Sequence, residues 1–318
     1  MVRAAARKVT FYRHIQKSRR FQGGHLKVWD YYGHVESASG FLPQIYFSKE
    51  TVRNEYNPWF ESEINELTRW DPADTDLYFL GGKDWLELPS SQRRVKPVIN
   101  LIQHVRHADS DNSLFQFLKE RAVRICVSPE VSERIVATGQ VNGPVFTIPN
   151  GLNRHVLPAS LPRDRRTIPF LIVGFKVPEM ALRLADSLAL RGIRCECVIQ
   201  PMPRAEFLAL LGRSRAALVL PRSTEGWFLP ALEAMVLETP IVCPDCIGNR
   251  SFCLDQINCW RPEYRDEAIL TAVEEMLAAS PEKLKAMGQA AAETVLAHDI
   301  SVERSRFVEV LSQIDELW

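Results

Sequence analysis

The sequence predicts an α/β protein built from two doubly wound halves, each a mostly parallel sheet with helices on both faces. Three observations carry that expectation. Short apolar runs alternate with helix-compatible stretches along most of the 318 residues, the signature of successive βαβ units. The alternation breaks at a linker rich in proline and arginine, Pro158 to Pro169, and then starts afresh. One segment, Ala216 to Cys243, spells out strand, loop, helix and strand without interruption.

Val9-Thr-Phe-Tyr12 reads as the first strand. Gln22-Gly-Gly-His25 follows, where two residues without a Cβ let the backbone approach a ligand closely, and Leu26 to Tyr32 is compatible with a helix. Pro43 to Phe47, Asp76 to Leu80 and Pro97 to Ile102 are further strands; the last carries Gln103-His104-Val-Arg106-His107 at its carboxyl end, where doubly wound sheets bind ligands. Asn54 to Trp70 is polar and aromatic, without a clear period. Arg124 to Ser128 is a fifth strand, Val131 to Thr138 a helix stopped by Gly139, and Pro144 to Ile148 a sixth strand running into Pro149-Asn150-Gly151-Leu152. In the second half, Phe170 to Val173 is a strand followed by Gly174-Phe175-Lys176. A helix from Glu179 to Leu190, a strand from Cys195 to Ile199 and a helix from Arg204 to Leu211 come next. Beyond Cys243 the chain is expected to be helical at Glu267 to Ala278, Pro281 to Ala297 and Val302 to Leu317.

Composition narrows the function. Lysine plus arginine equal aspartate plus glutamate at 39 each, so nothing implies bulk attraction to nucleic acid. No apolar run approaches the roughly 20 residues of a membrane span, and the N-terminus has no apolar signal core. Seven scattered cysteines favour reduced thiols and a cytoplasmic chain. Charge is unevenly spread: Met1 to Trp29 holds no acidic residue but Arg3, Arg7, Lys8, Arg13, Lys17, Arg19, Arg20 and Lys27. That run suits either an ordinary solvated terminus or a basic rim for an anionic acceptor, or peripheral contact with an anionic membrane.

The chemistry concentrates in Pro221-Arg-Ser-Thr-Glu-Gly-Trp-Phe-Leu-Pro-Ala-Leu-Glu-Ala-Met235. Pro230 is suited to a helix start, so the N–H groups of Ala231 and Leu232 point back at the loop and make an anion site fit for a diphosphate. Glu225 and Glu233 flank it, and two carboxylates beside a diphosphate make sense as acceptors for sugar hydroxyls. This Glu-x7-Glu string, with Glu-Gly-Trp-Phe-Leu-Pro inside it, resembles the donor-site motif of glycosyltransferase family 4. Ile148-Pro-Asn-Gly151 is similar to the place where that family changes domains, and Gly23-Gly24 to its glycine loop. The resemblance runs over nearly the whole chain, is strongest from Pro221 to Asp245 and weakest in the N-terminal half, and the chain is short for the family.

The resemblance implies a GT-B fold: two Rossmann-like doubly wound domains facing a central cleft. Residues 1–153 would be the acceptor side and 154–318 the donor domain, with the last helix packing back on the first. It implies a retaining transferase acting without metal or cofactor, the nucleotide diphosphate-sugar being a substrate, and a glycan or lipid-linked acceptor. Glu225 would touch the transferred sugar and Glu233 the ribose. Lys176 would supply one member of the family's basic pair, the other having no counterpart here. His104 would stand near the sugar, with His107 its rival. The donor side would draw on Gly23, Gly24, Asn150, Gly151, Lys176, Gly226, Trp227, Phe228, Leu229 and Glu233.

Competing chemistries find weaker footing. Asp74-Thr-Asp76 precedes its strand, and Asp109-Ser-Asp111 suits a helix cap, so neither fits a metal-holding Asp-x-Asp. Cys243, Cys246, Cys253 and Cys259 have a zinc-like spacing, but nothing in the sequence brings the last three to the first. Two other classes stay open: a GT-B-shaped isomerase or hydrolase of nucleotide sugars, and a non-catalytic nucleotide-sugar or glycan-binding module.

Overall fold

The computed structural model describes residues 5–15, 23–54, 56–59 and 63–318. They form two compact units, Met1–Asn150 with Glu303–Trp318, and Gly151–Val302.

Unit 1 begins with β1 (Arg7–Arg13), α1 (Gly23–Glu36), β2 (Phe41–Phe47), β3 (Leu77–Gly81), β4 (Val98–Ile102), β5 (Val123–Cys126), α2 (Pro129–Ala137) and β6 (Val145–Thr147). The six strands make one parallel sheet in the order β2-β1-β3-β4-β5-β6. β3 and β4 are buried along their whole length, which is why both read as largely apolar runs, the one polar side chain of β4, Asn100, donating to the Leu80 carbonyl. Ser128 caps α2 by accepting from the Val131 N–H, with Pro129 in its first turn, and Gly139 just past it takes a φ of 62°. The helix expected from Leu26 starts instead at Gly23 and runs to Glu36. Its Tyr31 ring meets Phe79 of the sheet and Phe307 near the chain's end at 5.2 and 4.8 Å.

Unit 2 contains β7 (Leu171–Val173), α3 (Pro178–Leu190), β8 (Glu196–Val198), α4 (Arg204–Gly212), β9 (Ala217–Val219), α5 (Leu229–Val236), β10 (Ile241–Val242), α6 (Asp266–Leu277) and α7 (Pro281–Ala297). Its parallel sheet has the order β10-β9-β7-β8. Ile172, Leu184, Leu188, Leu218, Trp260 and Val273 share its core. The final helix expected over Val302 to Leu317 is two, α8 (Ile300–Ser312) and α9 (Ile314–Leu317), broken at Gln313. Residues from Glu303 onward belong to unit 1. Among the described residues no helix is long and apolar enough to cross a membrane.

Both sheets share one topological feature. The chain lays down a first strand, adds the second on one side and the third on the other. In unit 1 the reversal lies between β1 and β3, in unit 2 between β7 and β9. Loops leaving the carboxyl ends of such a pair depart to opposite faces and open a crevice, the usual ligand position in doubly wound sheets.

Candidate functional site

The crevice of unit 2 is bridged by an ion pair. Lys176, three residues beyond β7, donates from Nζ to Oε1 of Glu225, six residues beyond β9, at 2.8 Å. The same carboxylate oxygen accepts the Arg222 N–H at 3.3 Å. The Lys176 ammonium also lies 4.9 Å from the centroid of Phe228, a cation–π contact that restrains a flexible side chain. Two residues singled out separately in sequence, 49 positions apart, therefore meet, and both keep some exposure.

Glu233 is nearly enclosed, and its Oε1 accepts from both Nε and a terminal nitrogen of Arg204, at 3.1 and 2.6 Å. Arg204 opens α4 and was not singled out from sequence. Leu229 and Pro230 supply the first turn of α5. The anion site expected there is smaller than the sequence suggests, because the Ala231 N–H is already given to the Phe228 carbonyl at 3.2 Å.

The Glu225 loop is held from below by Cys246 to Asn249. The Phe228 N–H donates to the Gly248 carbonyl at 3.0 Å. Asn249, fully buried, donates to the Pro244 carbonyl at 2.9 Å and accepts the Cys246 N–H at 3.0 Å. A Cβ on Gly248 would fall 2.5 to 2.6 Å from backbone atoms of Glu225, Gly226 and Trp227, closer than real atoms approach. Gly248→Ala is therefore expected to push the loop outward, destabilising the protein by about 1–3 kcal/mol and weakening nucleotide-sugar binding. Urea unfolding and ligand calorimetry would read both effects.

Other expected site residues have structural work. The Trp227 ring packs on Phe252 and His298 at 4.6 and 5.1 Å, so its indole serves the interior of unit 2. A Cβ on Gly151 would lie 2.8 Å from the Asp299 oxygen and the Ile300 Cα, so that glycine lets residues 151–152 pack against the turn before α8. Asn150 is buried, with its Oδ1 unpartnered. In unit 1, Gly23 begins α1, and Gly24 sits against Gln103, whose Nε2 donates to the Gly24 carbonyl at 3.2 Å. His104 caps a single turn of 3-10 helix, its Nδ1 accepting the Arg106 N–H at 3.1 Å. His107 is interior: burial, then the charges of Arg106, His104 and Arg124, pull its pKa down to about 3. Of the two histidines only His104 retains access to a ligand.

The metal candidates are occupied otherwise. Asp74 pairs with Lys8 at 2.6 Å, Asp76 accepts the Lys8 N–H, and Asp109 accepts the Asp111 N–H in a tight turn. Among the described residues no three His, Cys, Asp or Glu are grouped to hold a metal. The four cysteines are buried and unbridged. Cys253 lies near Cys243 and Cys259, and burial pushes its thiol well above the ordinary range.

The basic N-terminal run is also less available than its sequence implies. Arg7 pairs with Asp315, Lys8 with Asp74, and Arg13 with Asp84, while Lys27 is buried between Asp30 and Glu303. Arg3, Lys17, Arg19 and Arg20 lie outside the described residues.

Residues 157–294 match the family model described as glycosyl transferases group 1. Compared by sequence, the curated proteins give no match. Among solved structures, the chain is similar to HepE of Anabaena (TM-score 0.74, 12% identity, covering 96% of this chain and 100% of that one). It is similar also to sucrose-phosphate synthase of Thermosynechococcus elongatus (0.69, 13%, 98% and 99%) and to the lipopolysaccharide outer core galactosyltransferase WaaB (0.67, 13%, 96% and 99%). The chain thus has the GT-B fold, and its residues 157–294 are similar to the group 1 glycosyl transferases.

Proposed function

We propose that this chain is a retaining glycosyltransferase of the family 4 type. It moves a sugar from a nucleotide diphosphate-sugar to a hydroxyl of a glycan, lipid-linked or other acceptor, without metal or cofactor. The observation that carries the reading is the Lys176–Glu225 pair across the crevice of unit 2, inside the matched residues. A leaving diphosphate needs positive charge aimed at it, and Lys176, which would have to turn from Glu225 toward the phosphate, brings a cation to the carboxyl end of the sheet. Glu225, beside it, accepts hydrogen bonds from the transferred sugar. Glu233, with one oxygen held by Arg204, offers the other to the ribose. HepE, similar in fold, has been solved with UDP and with UDP-glucose, which supports the donor class.

In this reading unit 2 binds the donor and unit 1, with residues 303–318, the acceptor, with His104 near the reacting sugar. The acceptor oxygen bonds the anomeric carbon on the face from which the diphosphate departs, and the acceptor proton passes to the departing β-phosphate. The protein works in the cytoplasm. Any hold on an anionic membrane falls to the basic residues that unit 1 does not already pair.

Calorimetry with nucleoside diphosphates, with and without a chelator, followed by incubation of donor alone and of donor with an acceptor panel, tests the proposal. Binding should survive the chelator, and the donor should be consumed only with acceptor present, giving a product of retained configuration. Binding lost to the chelator overturns the metal-free reading. Donor consumed alone means an isomerase or hydrolase, and binding without consumption means a non-catalytic module.

A further inference from the structure

The crevice of unit 1, between the carboxyl ends of β1 and β3, holds a chain of three polar side chains. Arg13, the last residue of β1, donates to Oδ2 of Asp84 at 2.8 Å, and that oxygen also accepts the Gly81 N–H at the end of β3, at 3.0 Å. Arg13 and Asp84 are both buried. A second guanidinium nitrogen of Arg13 lies 2.7 Å from Nδ1 of His25, in the first turn of α1. A guanidinium can only donate, so Nδ1 must be the acceptor, and the proton of the neutral ring sits on Nε2. Burial, and then the Arg13 charge, pull the His25 pKa down to about 3, so the ring stays neutral at physiological pH. Among the described residues Nε2 has no partner, and it is not enclosed. His25 is therefore a fixed hydrogen-bond donor that cannot act as a base.

The surroundings decide what it donates to. The Arg13 charge is matched by Asp84, so the chain carries no net cation. His14, next to Arg13, shares its Nδ1 with the Ser48 hydroxyl at 2.6 Å, and His104 is engaged in its own cap. Gln103, packed on the neighbouring Gly24, gives one N–H of its amide to the Gly24 carbonyl, and its amide oxygen lies 3.5 Å from where a Gly24 Cβ would stand. That oxygen can only accept. A phosphate, which also only accepts, would be repelled by it, whereas a hydroxyl both donates and accepts.

We propose that His25 binds the acceptor, its Nε2–H donating to a hydroxyl oxygen of an uncharged sugar, with Arg13 and Asp84 as positioning residues that act through it. The proposal rests on the transferase reading for the word acceptor, but its chemistry belongs to unit 1 alone.

The test is nitrogen-15 NMR of the histidine rings in the full chain. His25 should show the Nε2–H tautomer and no titration between about pH 5 and pH 8, where an unperturbed histidine changes charge. At least one of a panel of methyl glycosides should shift its Nε2 signal, and inorganic pyrophosphate should not. His25→Ala should weaken that glycoside about two- to tenfold, the worth of one neutral hydrogen bond, and His25→Gln, which keeps an N–H donor, should retain most of the affinity. A titration near pH 6.5, the Nδ1–H tautomer, a response to pyrophosphate, or silence toward every glycoside would each overturn it. Nucleoside diphosphate binding tests the transferase reading separately and involves none of these atoms, so the two failures are told apart.

Discussion

Lys27→Met is expected to destabilise unit 1 by about 3–5 kcal/mol, the usual consequence of removing one partner from a buried ionic cluster. Lys27 lies in α1 with about 1% exposure, 2.7 Å from Asp30 and 2.6 Å from Glu303, and Glu303 also meets Nε2 of His34 at 3.0 Å. Burial alone would lower the pKa of Lys27, but the two carboxylates override it and the net shift is upward. Burial likewise pushes Glu303 up, and Lys27 with His34 bring it below its ordinary value. With the ammonium gone, the Asp30 and Glu303 carboxylates lose the cation they share. Urea unfolding should show the loss. Lys27→Met combined with Glu303→Met should recover part of it, because Asp30 alone reaches solvent. Arg7→Met, which removes the surface pair with Asp315, should change stability little. A Lys27→Met protein as stable as the parent would mean that water already reaches the cluster.

The second large effect is on turnover. Lys176→Met should lower kcat by about 10²–10³, the range seen when a preorganised charge-stabilising group is lost. It should leave thermal stability nearly unchanged, since its pair with Glu225 keeps some exposure. The two glutamates should then separate. Glu225→Gln should reduce turnover about tenfold to a hundredfold while leaving nucleoside diphosphate binding near the parent value. Glu233→Gln should weaken the nucleoside diphosphate and the full donor alike by a similar factor, because both carry the ribose. Glu233 also neutralises Arg204, so its variant needs a melting curve beside each titration. If Glu225→Gln loses the bare nucleoside diphosphate while Glu233→Gln keeps it, the donor lies the other way round.

What was legible in the sequence is what local pattern encodes. The fully buried strands β3 and β9 are apolar runs and β4 is one but for Asn100, Pro230 marks a helix start, and the Pro–Arg linker falls where the sheet pattern restarts. Interior charges were invisible to that logic. Lys27 read as part of a basic run and Arg124 as the first residue of a strand, yet Arg124 is held by the Asn100 side chain and by carbonyls of the segment before β5. Arg204 stands 29 residues from Glu233, and no local signal links them. Gly248 earns its place only through the loop it touches. For Trp227, which the resemblance places on the donor side, the motif gave no hint that its ring also packs on Phe252 and His298. For His104 and His107, three residues of spacing could not tell a half-exposed cap from an enclosed ring.

Residues Glu303 to Trp318 complete unit 1, although unit 2 lies between them and the rest of that unit. Phe307, Leu311 and Ile314 are fully buried there, and Glu303 closes the Lys27 cluster. A ribosome therefore makes unit 2 before it makes the last piece of unit 1. Domains usually fold in the order they are synthesised, and here the order is reversed. Gly151–Val302 can fold as soon as it emerges, while the six-stranded sheet waits with Tyr31 and Phe79 uncovered. Until residue 303 appears that apolar face lacks its cover, and a synonymous change that slows translation of the α7 codons would lengthen the interval without altering a single residue.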